Sequence, residues 1–279
     1  MLFVNPRSGE GGPTVEELAA AAQELGVHVH ALRPEDDLAA LAREAEAEVL
    51  GMAGGDGSLG AVAEAAIERD LPFVCVPWGT RNHFATDVGL DGDRPLAALA
   101  AFRRDARERR VDVGRSGDRV FLNNVSFGLY ARLVHRRERR RRRREAFARL
   151  RALALTLFEH RRFERLVVDG RRVHASVLLV ANNEYTLDLF SLGARERVDA
   201  GVLSIYAARG IRRLRWTERT ATSVRVDSHR PAVRAAVDGE PALLRPPVEL
   251  CVAPGALRLL LPADEDEAAG RADPAEQEE

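Results

Sequence analysis

Three loops rich in glycine and hydroxyl side chains each follow an apolar run in the first third of the sequence. They are Asn5-Pro6-Arg7-Ser8-Gly9, Gly54-Gly55-Asp56-Gly57-Ser58-Leu59-Gly60 and Gly79-Thr80-Arg81-Asn82. Glycine lets backbone N–H groups approach a phosphate closely, and serine and threonine hydroxyls add hydrogen-bond donors. A carboxylate in such a loop, here Asp56, can hold Mg²⁺ or accept a proton. These residue types predict a phosphate-binding site.

The common context of the three loops carries more weight than any one of them alone. An isolated Asn-Pro-x-Ser-Gly segment is often only a turn. Each loop here directly follows a predicted strand, and in parallel α/β sheets ligands bind at the carboxyl ends of the strands. All 42 basic residues are arginine. The absence of lysine excludes a Walker-type GxxxxGK[ST] loop.

The loops are set in a chain whose pattern changes after residue 112. Strands and helices alternate over residues 1–112, which predicts an α/β domain with a parallel sheet. Residues 113–262 are mostly strand-like and predict an all-β sandwich, with an arginine-rich helix inserted over 129–161. Residues 263–279 are acidic and lack apolar periodicity, so we expect a disordered tail.

Several short apolar runs define the strands expected in the second domain. Asp169-Gly170 suits a two-residue hairpin turn between a strand over 166–168 and another over 173–180. Near the end of the domain, residues 248–252 and 257–261 predict two further strands. The strand–turn pattern therefore favours antiparallel sheets in this half of the chain.

The charges nearly cancel, and their distribution is uneven. The chain has 42 basic and 43 acidic residues and a formal net charge of −1, which argues against a surface built throughout for nucleic acid. Residues 132–165 hold 14 arginines against 4 glutamates, whereas residues 263–279 hold one arginine against 8 acids. The arginines from Arg136 to Arg144 suit either a solvated helix face or docking to an anionic membrane. No aromatic residues interleave with them, so we expect no nucleic-acid partner.

The cysteines and the hydropathy of the chain indicate the cellular compartment. Cys75 and Cys251 both lie in apolar runs, which predicts two buried thiols in a reducing environment. No apolar run approaches the roughly 20 residues needed to span a bilayer, and no secretory signal is visible. We expect a cytoplasmic protein that acts peripherally at a membrane.

Six motifs occur in an order that resembles the diacylglycerol kinase catalytic domain family, which includes bacterial lipid kinases and sphingosine kinases. They are NPRSG at 5–9, GGDGS at 54–58, GTRNHFA at 79–85, VDVG at 111–114, FLNNVSFG at 121–128 and VDGE at 237–240. The resemblance implies an α/β nucleotide-binding domain and a β-sandwich domain. It also implies transfer of the γ-phosphoryl group of ATP to a lipid hydroxyl.

The resemblance also implies roles for particular residues. The loop residues from Asn5 to Gly9 and from Gly54 to Gly60, with Gly79, Thr80 and Asn82, would bind ATP. Glu240 would be the general base, and Asp56 is the competing candidate. Asp56 and Asp112 would hold the Mg²⁺ that accompanies ATP. A hydroxyl that attacks phosphorus must lose its proton, so a carboxylate suits this role.

Two departures from the family pattern remove possible metal ligands. His83 stands where the family usually has aspartate, and the family's Asp-Asp-Gly segment is Asp199-Ala200-Gly201 here. The positions that correspond to ligands of a structural Mg²⁺ in some relatives are Arg197, Ala200 and Val202. None of the three has a side chain that binds Mg²⁺ well, so these residues do not favour the structural metal of those relatives, and whether that site survives stays open.

The sequence leaves the acceptor open. Diacylglycerol is the first candidate, and a sphingoid base or another long-chain alcohol is the alternative. From a different class, the chain would be a catalytically silent regulator that binds nucleotide or lipid. The resemblance also implies self-association, so a homodimer is a further expectation.

Overall fold

The chain folds into two compact units, one of α/β and one of β structure. The computed structural model describes residues 1–9, 12–79, 82–128, 166–173, 177–187, 192–209 and 215–263. One unit is Met1–Arg110 together with the chain from Leu257, and the other is Val111–Ala256. The order, an α/β unit and then a β unit, agrees with the predicted fold class.

The first unit is built on a parallel sheet. Its elements are β1 (Leu2–Val4), α1 (Val15–Glu24), β2 (Val29–Ala31), α2 (Leu38–Glu44), β3 (Leu50–Gly54), α3 (Asp56–Glu68), β4 (Phe73–Pro77), α4 (His83–Asp87), α5 (Pro95–Ala98) and a 3₁₀ turn (Leu99–Phe102). The strands lie in the order β2-β1-β3-β4, and every adjacent pair is parallel. Because the strands share one direction, the loops after β1, β3 and β4 leave the same edge of the sheet.

Helix α1 shows how local sequence sets an element of this unit. The Thr14 side chain accepts a hydrogen bond from the Glu17 N–H, and the Glu17 carboxylate accepts one from the Thr14 N–H, which forms a capping box. Leu18 and Ala22, four residues apart, face the core and are fully buried. The cap fixes where the helix begins, and the apolar spacing fixes which face packs on the sheet.

The elements that follow among the described residues are all strands. They are β5 (Arg107–Ser116), β6 (Arg119–Phe121), β7 (Asn124–Gly128), β8 (Leu166–Val168), β9 (Arg171–Val173), β10 (Val177–Asn182), β11 (Thr186–Leu187), β12 (Leu192–Ala194), β13 (Leu203–Arg209), β14 (Arg215–Ala221), β15 (Ser223–Ser228), β16 (Val233–Val237), β17 (Glu240–Leu244) and β18 (Val248–Leu261). β5 begins and β18 ends in the first unit, and the strands between them lie in the second. One sheet has the order β14-β13-β10-β7-β16-β17. β18, β15, β8 and β9 pair in that order within the ten-stranded sheet that also contains β1 to β4.

These two sheets pack face to face within the second unit. Alternate residues of β7, β10, β13 and β16 point into one apolar cluster, where they meet residues of β8, β15 and β18 from the other sheet. Phe127 and Ile205 come from the first sheet, and Val226 and Leu250 come from the second. This is the expected sandwich, because each strand buries every second side chain.

The last strand differs from its prediction. Residues 248–252 and 257–261 belong to one continuous strand, β18. Its end pairs in parallel with β4, with Leu259 opposite Phe73 and Leu260 opposite Val74. Residues from Leu257 onward therefore fall in the first unit, whereas the sequence assigned everything up to 262 to the second. Pairing between segments almost 190 residues apart leaves no local signal.

The predicted hairpin at Asp169-Gly170 is confirmed, although its second strand is shorter than expected. β8 and β9 pair with Leu166 opposite Val173, and the φ angles of Asp169 and Gly170 are +47° and +76°. Positive φ at both central residues is what a type I′ turn requires. Residues 177–180 do not continue β9, because they lie in β10 of the other sheet.

Some expectations fall outside the described residues. These are the whole helix over 129–161, with all the arginines from Arg136 to Arg144, and the tail beyond residue 263. Among the residues that the structure does describe, no helix is both long and apolar enough to cross a membrane.

The expectation of two buried thiols is wrong for one of them. Cys75 lies in β4 and is buried, whereas Cys251 lies in β18 and is exposed. Strand residues alternate between faces, so an apolar run can still present one thiol to solvent. Burial raises the pKa of the Cys75 thiol well above its usual range, and the negative charge of Asp56 adds to the effect.

The two thiols should therefore differ sharply in reactivity. Because the thiolate is the nucleophile, we expect a thiol reagent at pH 8 to modify Cys251 quickly and Cys75 only after unfolding. Counting modified thiols per chain checks this, with an expected value of one in the native state and two in denaturant. C251S should bring the native value to zero. Rapid modification of native C251S would contradict the burial of Cys75.

Candidate nucleotide-phosphate site and its supporting carboxylates

The first loop turns directly after β1. The Ser8 N–H donates to the Asn5 carbonyl (2.9 Å), and the Arg7 N–H donates to the Asn5 side-chain oxygen (3.1 Å). Gly9 has φ of +84°, a left-handed conformation that favours glycine. The Asn5 N–H donates to the Ala53 carbonyl at 3.0 Å, which ties this loop to β3. The local bonds leave the exposed side chains of Pro6 and Arg7 at the surface of the loop.

The second loop leads from β3 into α3. Gly55 is the N-cap, and the Ser58 N–H and hydroxyl both donate to its carbonyl, at 3.0 and 2.9 Å. The first N–H groups of a helix have no partner within it, and together with the helix dipole they favour an anion. The Leu59 side chain is buried in the core, so of this predicted site residue only the backbone is available.

The third loop follows β4 and is joined to the second by Asp56. The Asp56 side chain, 8% exposed, accepts hydrogen bonds from the His83 and Phe84 N–H groups, both at 3.2 Å. The Asn82 side-chain amide donates to the Gly79 carbonyl at 3.0 Å. Thr80 lies outside the described residues. One carboxylate thus holds the start of α4 against the start of α3.

Glycine is required where the second and third loops meet. A Cβ atom on Gly79 would lie 2.6 Å from the Gly55 Cα and 2.8 Å from the Gly55 nitrogen. The atoms it would meet belong to the backbone, so no side-chain rotation relieves the contact. The loops after the neighbouring strands β3 and β4 approach each other this closely, which explains why glycine stands in both of them.

Trp78 is a supporting residue that the sequence analysis did not identify. Its indole, 4% exposed, donates from Nε1 to the Pro13 carbonyl at 2.9 Å. A Cβ on Gly9 would lie 2.3 Å from the indole ring, so the first loop packs directly on it. A tryptophan next to a loop glycine is a weak signal of this arrangement, because the sequence does not give the packing partner.

Asp112 anchors three segments of the second unit. Its carboxylate, 2% exposed in the folded chain, accepts from the Gly201 N–H at 2.6 Å and the Gly255 N–H at 2.8 Å. Its carbonyl accepts from the Asn182 side-chain amide at 2.8 Å. The structure therefore gives Asp112 a structural task, and its role as an Mg²⁺ ligand stays a prediction.

The chain offers a carboxylate suited to the Mg²⁺ that the resemblance implies with a nucleotide, and no suitable side chains for the structural ion that it also implies. Mg²⁺ on a nucleotide needs only one or two protein carboxylates. Asp56 fits in its chemistry, since carboxylate oxygens are ligands that Mg²⁺ prefers. At the structural positions Ala200 and Val202 have no side-chain oxygen, and Arg197 pairs with Asp199 at 3.2 Å. Those side chains do not fit a divalent cation. Over the described ranges, no three His, Cys, Asp or Glu side chains converge as a metal site.

Glu240 begins β17, directly after the turn at Asp238-Gly239. The Glu240 side chain is exposed, and its residue pairs with Val237 across the hairpin. Asp238 accepts three backbone hydrogen bonds from residues 122–124, at 2.8 to 2.9 Å. The sequence does not reveal this anchor, because Asp238 and Leu122 lie 116 residues apart.

A parallel α/β unit with glycine loops at one sheet edge, followed by a β-sandwich, defines a fold shared with solved structures. One described as a diacylglycerol kinase from Bacillus anthracis str. Sterne has a TM-score of 0.65 and 16% identity, and the match covers 93% of this chain and 95% of that one. Another diacylglycerol kinase structure from the same organism gives a TM-score of 0.67 at 19% identity, with 93% and 95% covered. The predicted fold class is confirmed.

Residues 1–116 match the family model of the diacylglycerol kinase catalytic domain. The resemblance predicted from the motifs is therefore confirmed. Among curated proteins, the "Probable lipid kinase YegS-like" of Klebsiella pneumoniae (strain 342) is 30% identical over 146 residues, 48% of this chain and 47% of that protein. The protein of the same name from Chromohalobacter salexigens is 33% identical over 144 residues, 48% and 45% of the two chains. The matched segment spans about half the length of these relatives.

The contact at Gly79 predicts a cost for one added methyl group. G79A should lower the free energy of unfolding by about 1–3 kcal/mol, the range for overpacking a tight contact. G92A is the matched control, because a Cβ there would meet only the Asn82 side chain at 3.7 Å. We expect it to change stability by less than about 0.5 kcal/mol. Urea unfolding measures both, and equal stability of the two variants would contradict the close approach.

The Asp112 anchor predicts a loss of stability on a neutral replacement. D112N puts an amide NH₂ against a buried N–H donor and should cost about 1–3 kcal/mol. Asp118, exposed in the turn after β5, supplies the control D118N, which should be neutral. Thermal unfolding in the presence of a chelator compares the three proteins. Unchanged stability of D112N would show that the Gly201 and Gly255 bonds contribute little.

Proposed function

We propose that the protein is a lipid kinase that transfers the γ-phosphoryl group of ATP to a lipid hydroxyl, with diacylglycerol as the acceptor. The observation that carries the proposal is the joining of the glycine loops at one edge of the parallel sheet. Asp56 connects the second and third loops there, and Gly79 approaches the backbone of Gly55. The match of residues 1–116 to the family model of the diacylglycerol kinase catalytic domain supports the same chemistry.

The first unit would hold the nucleotide. The backbone N–H groups of the loop from Asn5 to Gly9 and of the start of α3 are suited to the phosphates. Ser8 would add a hydroxyl group, and the Ser58 hydroxyl would first have to release the Gly55 carbonyl. Asp56 would hold the Mg²⁺ that accompanies the nucleotide. Bound Mg²⁺ offsets the negative charge that develops on phosphoryl oxygens during transfer. Asp56 is itself held in place by the His83 and Phe84 N–H groups.

Glu240 would accept the proton in the transfer step. The lipid hydroxyl oxygen forms a bond to the γ-phosphorus, and the bond from that phosphorus to the β,γ-bridging oxygen breaks. ADP leaves with the electron pair of the broken bond, and the hydroxyl proton passes to the Glu240 carboxylate. The exposure of the Glu240 side chain supports this role, because a base must reach a proton on a bound substrate.

The acceptor is tested by presenting several hydroxyl lipids. Purified protein is incubated with Mg²⁺, labelled ATP and mixed micelles that contain diacylglycerol, a sphingoid base or a long-chain alcohol. We expect labelled phosphate on diacylglycerol in preference to the others. Labelled sphingoid base or alcohol would correct the acceptor and retain the kinase. ATP binding with no transfer to any lipid would contradict the proposal and favour a regulator.

Glu240→Gln tests the base. The substitution keeps the size of the side chain and removes its ability to take a proton, so we expect kcat to fall by about 10²- to 10⁴-fold. E249Q is the matched control, because Glu249 is an exposed strand glutamate of the same unit that pairs with Arg225 at the surface. Its kcat should stay unchanged. A fall of less than about tenfold in E240Q would exclude Glu240 as the base.

A further inference from the structure

We infer that Asp238 is a positioning residue that fixes the carboxylate of Glu240, acting through the segment Leu122-Asn123-Asn124. The inference rests on the proposed function, in which Glu240 accepts the proton of the lipid hydroxyl. Asp238 itself would contact neither substrate. Its effect would come from the backbone of the hairpin whose second strand begins at Glu240.

The Asp238 carboxylate is held by three consecutive backbone N–H groups. Oδ2 accepts from Leu122 at 2.8 Å, and Oδ1 accepts from Asn123 at 2.8 Å and from Asn124 at 2.9 Å. The Asp238 N–H donates in return to the Asn124 carbonyl at 2.9 Å. Four hydrogen bonds therefore tie one turn residue to a segment more than 110 residues away. A simple hairpin turn needs none of them.

The short turn connects Asp238 directly to Glu240, so the hydrogen bonds of Asp238 also restrain the backbone of Glu240. Asp238 and Gly239 have φ of +47° and +81°, as in a two-residue type I′ turn. Val237, before the turn, pairs both with Glu240 and with Val125 of β7. Only Gly239 separates the anchored residue from Glu240, so little backbone freedom remains between them.

The segment 122–124 is fixed from its other side by a buried arginine. Arg195 is 6% exposed, and it donates to the Leu122 carbonyl at 2.7 Å and to the Asn123 side-chain oxygen at 3.0 Å. The Asn182 side-chain amide also donates to the Leu122 carbonyl, at 3.1 Å. The segment to which the Asp238 carboxylate is hydrogen-bonded is thus itself fixed within the sandwich.

The charges suit the peptide groups that they meet. A carboxylate lies on the N–H side of the segment, where the peptide dipole is positive, and a guanidinium lies on the carbonyl side, where it is negative. Hydrogen bonds to charged groups are stronger than those between neutral groups. A base must lie within hydrogen-bond reach of its proton, and small displacements of a catalytic group can cost large factors in rate. An anchor this firm is what a proton acceptor on a hairpin requires.

A double-mutant cycle separates positioning from a general structural role. D238N replaces one carboxylate oxygen with an NH₂ group that cannot accept, and it removes the negative charge. The set of three hydrogen bonds is therefore weakened. We expect kcat to fall about tenfold or more, with the KM for ATP unchanged within about twofold. In the E240Q background the base is already lost, so D238N should change kcat by less than about twofold. An equal fall in both backgrounds would overturn the inference.

Asp169 provides the matched control. It occupies the corresponding position of the other Asp-Gly turn, and its carboxylate accepts from the Arg225 N–H at 2.8 Å. D169N therefore disturbs an anchored turn of the same type that leads to no catalytic candidate. We expect its kcat to match the wild type. A fall in kcat equal to that of D238N would show that any loss of turn stability has this effect, and would overturn the inference.

Amide hydrogen exchange supplies a second measurement, which needs no variant and no activity. In the folded wild-type protein, the N–H groups of residues 122–124 should exchange as slowly as those of residues 125–128 in β7. Exchange at the rate of an open loop would overturn the anchor even if D238N failed to fold.

The two proposals fail separately. Full activity in E240Q would remove the proposed base, whereas an additive cycle with a slow E240Q would remove only the role of Asp238.

Discussion

A carboxylate that loses contact with water needs hydrogen-bond donors in its place. The buried Asp56 and Asp112 and the partly buried Asp238 meet that condition with backbone N–H groups. Asp56 takes donors from the start of α4, Asp112 from Gly201 and Gly255, and Asp238 from residues 122–124. In each case the donors lie in segments distant in sequence. The aspartates therefore act as cross-links that hold loops together, and each would leave orphaned N–H groups if it were removed.

This constraint explains how loops can be rigid enough for chemistry. Loops are held by few apolar contacts, since they run over the surface. At the edge of the parallel sheet, Asp56 and the close approach of Gly79 to Gly55 take the place of such contacts. In the β unit, Asp238 does the same for the hairpin that carries Glu240. The proposed division of tasks follows, with nucleotide binding in the first unit and proton acceptance in the second.

The sequence predicted those features that depend on neighbouring residues. Strand–loop–helix order located the glycine loops, and Asp-Gly predicted the type I′ turn at Asp169. Apolar periodicity gave the α/β unit and the sandwich. These signals are local because helix caps, turn angles and alternation depend on residues within a few positions.

The features that the sequence missed all depend on distant partners. The end of β18 pairs with β4, so it belongs to the first unit although its own residues suggest only a strand. Trp78 packs against Gly9, and Asp238 accepts hydrogen bonds from residues 122–124. The spacing of residues in the sequence does not reveal either contact. The side chain of Leu59 points into the core and Cys251 to solvent, because register decides between faces within an apolar run.

Nucleotide affinity, measured by calorimetric titration of Mg·ATP, tests the division of tasks most directly. The account predicts that E240Q binds Mg·ATP as tightly as the wild type, since its change removes only a proton acceptor. G79A should bind at least about tenfold more weakly, because the added methyl group displaces the second and third loops. Weak binding by E240Q together with wild-type binding by G79A would contradict the account.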